Sequence, residues 1–137
     1  MKERNLALLR FSAVFSVIGA MLGAHMAGSV SYAFRPIHAH ILVVGWLTLF
    51  AWAVYYEVFT ITSKKLAAWH TWTAIIGTTG LTAGMWVHNL KPFNLPEAVS
   101  LVLYIGGGVT LLVSFILFLV STFFIAKRNE VRAQHVE

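Results

Sequence analysis

The chain is organised as four long apolar runs, at about residues 6–32, 37–61, 67–90 and 97–126, separated by short polar or proline-bearing breaks. Each run meets or exceeds the ~20 residues that carry an α-helix across a hydrocarbon core, so each predicts a membrane-crossing helix. Charged residues are only 11% of the 137, where a soluble domain carries roughly 25%, which excludes a water-filled setting. A transmembrane barrel needs many ~10-residue alternating segments, and the runs do not alternate. The expected fold is an all-α integral membrane four-helix bundle, one domain spanning residues 1–137.

The first run follows a basic tip, Met1-Lys2-Glu3-Arg4. It continues well past the ~7–15-residue core of a signal peptide and predicts a retained helix. Pro36 suits the start of the second helix, which closes before Thr62-Ser63-Lys64-Lys65. Pro92, Asn94 and Pro96 force a loop between the third and fourth helices, and the polar Lys127–Arg132 tail carries no functional signal.

Lys2, Arg4, Arg10, Lys64, Lys65, Lys127, Arg128 and Arg132 fall on one side of this topology, and Arg35 and Lys91 on the other. The positive-inside rule then puts both termini in the cytoplasm. The net charge of +5 is thereby spent on topology, and no nucleic-acid role is assigned.

Polar side chains in a bilayer are costly and mark pathways or cofactors, so six histidines in so apolar a chain are the place to seek function. His25 falls late in the first helix, His38 and His40 open the second and His88 closes the third, giving one layer toward the outer leaflet. His70 falls at the inner end and His135 in the tail. A lone membrane histidine usually makes a helix-to-helix hydrogen bond, but four at one depth point to cofactor ligation. Neutral imidazole ligates haem iron, copper and zinc. There are no cysteines, so thiolate metal sites and covalent c-type haem attachment are excluded.

Two residues apart on a helix, His38 and His40 point about 200° apart and do not readily chelate one ion. A zinc site on a helix favours an i, i+4 pair, which these histidines lack. An H-x-H pair suits a helix that offers one ligand to each side. Arg35, three residues before His38, is placed to meet an anionic propionate or to serve as an interfacial anchor. Gly19 and Gly23, the Gly77-Gly80-Gly84 stripe and Gly106-Gly107-Gly108 read as close helix packing at least as well as room for a haem. Trp69, Trp72, Tyr55 and Tyr56 at the inner end, and Trp86 and Phe93 at the outer, are expected to be belt anchors. Glu57 is expected to reach water or Lys64. With no aspartate and no carboxylate pair at one depth, hydrolytic chemistry has no candidate.

Phe34-Arg35-Pro36-Ile37-His38, continuing through Gly45 to Tyr55-Tyr56 and preceded by Gly19-Ala20-Met21-Leu22-Gly23, resembles the first helices of the catalytic subunit of haem-copper oxidases and their nitric oxide reductase relatives. The resemblance covers about residues 19–56 and implies that His38 is an axial ligand of a low-spin haem. That subunit has about twelve helices in a quasi-threefold array and carries a His-x-His pair serving two haems. His38-Ala39-His40 is similar to that pair, and three copies of a four-helix chain would supply twelve helices. The other haem and copper ligands of the family lie on helices absent from this chain, so gas reduction by one copy is not implied.

The expected function is a small membrane protein holding non-covalent haem b with bis-histidine ligation, serving electron transfer or redox sensing, without a complete catalytic constellation. The expected assembly is a homo-oligomer, with a homotrimer placing each haem between His38 of one subunit and His40 of the next. A haem within one subunit, using His38 or His40 with His25 or His88, is the competing arrangement. Expected partners are the lipid bilayer and a redox partner or quinone. The alternatives are a five-coordinate haem binding NO or O2, a copper or zinc site built on His25, His40 and His88, and a non-catalytic oxidase assembly subunit.

Overall fold

The structure, a computed structural model, describes residues 3–30 and 32–126; His135 and the tail from Lys127 lie outside the described residues. It is all-helical. Four helices follow one another in antiparallel order: α1 (Glu3–Ser29), α2 (Arg35–Val58), α3 (Lys64–Leu90) and α4 (Glu97–Thr122). The apolar runs and these helices agree in number and place, with ends shifted by a few residues. Pro36 sits in the first turn of α2, where its missing N–H costs nothing. The Ser63 hydroxyl caps α3 by accepting from the Leu66 N–H, and Lys91 ends it in the left-handed conformation at φ 46° just before Pro92.

Two expected helix ends are something else. The second and fourth runs were expected to stay helical to residues 61 and 126, yet Ile61 and Ile125 form an isolated antiparallel bridge. The Thr62 N–H donates to the Phe124 carbonyl at 2.9 Å and the Ala126 N–H to the Thr60 carbonyl at 2.8 Å. The β-branched run Thr60-Ile61-Thr62 favours extended backbone, and the bridge satisfies peptide groups that helix termini leave unpaired.

Three helices, α1, α2 and α4, are long and apolar enough to cross a membrane. The expectation of four crossings met a different α3: it is equally long, at 27 residues, but too polar to join that set. It is also the helix with the most buried residues, ten against five in α4, although Trp69 and Trp72 on it are exposed. A helix that faces protein need not match lipid. Its buried Thr71 and Thr82 hydroxyls donate to the carbonyls of Ala67 and Thr78, four residues back.

Glycines set the helix spacing. Along α3, Gly77, Gly80 and Gly84 meet the α4 backbone at Leu111, Gly107 and Tyr104, and Gly107 in turn abuts the backbone of Gly80 and Leu81. Such small-residue contacts let two helices approach closely, so this stripe is packing. In the middle of α2, Ile41–Thr48 is a π-helix, and the Thr48 hydroxyl donates to the Val43 carbonyl five residues back. Gly45 lies within it, with the Phe15 ring of α1 against its bare Cα. Short π segments inside helices recur at functional sites, and this one begins directly after His40.

Candidate functional site

The antiparallel order brings His25, His38, His40 and His88 to one end of the bundle, because α1 and α3 finish where α2 and α4 begin. His38 turns toward α1: a Cβ at Gly23 would lie 3.1 Å from its Cε1, so the glycine makes room for the imidazole. Its Nδ1 is buried without a hydrogen-bond partner. Gly23 therefore does more than the helix packing expected of it.

His40 is half-buried and its Nδ1 lies 2.8 Å from the Pro36 carbonyl, one turn back. A carbonyl only accepts, so Nδ1 carries the proton and Nε2 keeps its lone pair. Metal-ligating histidines are commonly oriented by this kind of bond to the other ring nitrogen.

His25 is exposed, edge-on to Phe34 with ring centroids 5.7 Å apart. His88 belongs to the α3–α4 pair: its Nδ1 is 3.2 Å from the Ser100 hydroxyl, and its ring stacks on Tyr104 at 5.7 Å. The Ser100 hydroxyl proton already goes to the Glu97 carbonyl, so His88 Nδ1 is the donor. Among the described residues no three of His, Cys, Asp and Glu come together in a group able to hold a metal ion; His25, His40 and His88 each have a different local partner. Arg35 is exposed, with its guanidinium 3.8 Å over the Tyr32 ring.

The other end holds what sequence reasoning passed over. His70 is 0% exposed. Its Nδ1 is 2.7 Å from the Tyr56 hydroxyl, while Trp52 meets its ring edge-on at 4.6 Å and Phe118 lies 5.7 Å away. Its Nε2 has no hydrogen-bond partner. Tyr56 is 8% exposed and Tyr55 reaches Ser121 Oγ at 3.3 Å, so these tyrosines form an interior cluster and not the expected belt. Trp69 and Trp72, at 68% and 53% exposed, do face outward. The Glu57 carboxylate accepts from the buried Asn5 amide at 2.9 Å, and its expected neighbour Lys64 instead accepts at its backbone carbonyl from Arg4. An i, i+14 pairing such as Tyr56 with His70 has no local sequence signal.

No protein-family model, no curated protein and no solved structure matches this chain.

Proposed function

We propose that the protein is a four-helix membrane protein with both termini on the cytoplasmic side, holding non-covalent haem b through His38 and His40 and passing single electrons. The observation that carries this reading is a pair of imidazoles two residues apart with free ring nitrogens: His40 has only its Nδ1 occupied, and the buried Nδ1 of the His38 ring has no hydrogen-bond partner among the described residues. Three apolar helices of spanning length support the membrane setting.

His38 and His40 would hold the haem b, which would supply a one-electron iron couple. Gly23 shapes the space in which the His38 ring sits, and Pro36 fixes the tautomer of His40. Two residues apart on one helix, the two side chains leave α2 about 200° apart around its axis, which favours ligation between copies, in a homotrimer of the kind the oxidase-like motif suggests. His25 and His88 then stay outside the iron's coordination.

The test is complementation. His38→Ala and His40→Ala subunits are each expected to purify without haem, and their co-expression to restore part of it, since one interface of the mixed oligomer regains both ligands. Full haem in the His40→Ala protein alone would instead indicate ligation within one subunit.

A further inference from the structure

A second feature does not depend on the haem reading, although it lies beside the histidines. Between α1, α2 and α3 runs an apolar cleft of about 590 Å³, walled by Phe11, Ile18 and Leu22 on one side, Ile37 on another, and Ala83 and Trp86 on the third. It is open to the outside, Val14 in its wall being 56% exposed. None of its lining residues is a histidine or methionine, so it offers nothing to haem iron.

Shape limits the occupant. From Phe11 to Leu22 the wall extends about 16 Å at 1.5 Å per residue, and even the whole empty space between the walls, about 1140 Å³, gives a mean section of only about 70 Å². A helix from a second copy, ~10 Å across with its side chains, needs about 80 Å² and does not enter. A hydrocarbon chain does.

Charge sets the polar end. The cleft finishes at Phe34 and Trp86. Arg35 follows Phe34, and Trp86 is edge-on to Phe93 at 5.8 Å, two residues beyond Lys91. Both cations are exposed, and no described carboxylate forms an ion pair with either. We infer that the cleft binds one acyl chain of an anionic phospholipid, with the headgroup phosphate held by Arg35 and Lys91.

The test uses delipidated full-length protein, re-supplied with phosphatidylglycerol or phosphatidylcholine of identical chains, and native mass spectrometry to count retained lipid. Wild type is expected to keep one phosphatidylglycerol per chain, preferred about fivefold over phosphatidylcholine for each cation engaged. Lys91→Gln should lose much of that preference, and Ala83→Phe, which fills the cleft from an exposed position, should lose the lipid itself. Ile18→Trp fills it from the opposite wall should Ala83→Phe fold poorly. Equal retention of the two lipids by wild type, or undiminished phosphatidylglycerol in both filled variants, would overturn the inference. So would efficient cross-linking between copies in the membrane through Ala83→Cys, a clean probe in a chain with no cysteine, because it would mean that another copy covers the cleft.

Discussion

The Cε1 of His38 sits 3.1 Å from where a Cβ on Gly23 would be, so the α1 glycine and the α2 imidazole are fitted to one another. At that distance Gly23→Ala requires the ring to give by a few tenths of an ångström, and a branched side chain displaces it. Gly23→Val is therefore expected to lose most of the bound haem. Gly28→Ala, with nothing within 4 Å of the new Cβ, should keep it. Haem content per chain, measured as the pyridine haemochrome, checks both.

Alanine replacement sorts the histidine layer. His38→Ala and His40→Ala should each abolish six-coordinate haem absorbance, while His25→Ala and His88→Ala leave it in place, since His88 is held by Ser100 and Tyr104. Loss of the haem spectrum in His25→Ala would favour ligation within a single subunit.

At the opposite end, Tyr56→Phe strands His70 Nδ1 inside the aromatic cluster. A buried polar group left without its partner costs about 1–3 kcal/mol, so the variant should unfold at lower temperature in detergent with its pigment per folded chain unchanged. A change in the haem spectrum would mean that the two ends are coupled.

These outcomes divide what was legible in the sequence from what was not. Four long apolar runs and the Lys91-Pro92 break announced the helices, because length and turn chemistry are local. The shared end of His25, His38, His40 and His88 followed from antiparallel order alone. His70 was passed over because its box is assembled from α2, α3 and α4, and nothing near it in sequence marks it as the least exposed histidine. The polarity of α3, which removed it from the set of spanning candidates, was there to read in its threonines, His70, His88 and Asn89; its depth of burial was not, because burial is a tertiary property. The bridge of Ile61 with Ile125 likewise joins residues remote in sequence, and so does the contact of Gly45, inside the π-helix over Ile41–Thr48, with Phe15 of α1.

The glycine-set spacing of α3 and α4 gives a paired prediction. Gly107→Val places atoms against the backbone of Gly80 and Leu81, which cannot swing aside, and overpacking typically costs about 1–3 kcal/mol or more. Gly106→Ala, one residue away and facing open space, should leave stability unchanged or raise it by up to about 1 kcal/mol. Thermal unfolding of the two variants in the same detergent separates them.

The most direct measurement is the absorption spectrum of the detergent-purified protein, oxidised, then reduced with dithionite, then exposed to carbon monoxide. The account predicts sharp reduced α and β bands that carbon monoxide leaves unchanged, as two axial imidazoles require. A band that shifts with carbon monoxide would contradict bis-histidine ligation, and a colourless protein would contradict haem binding itself.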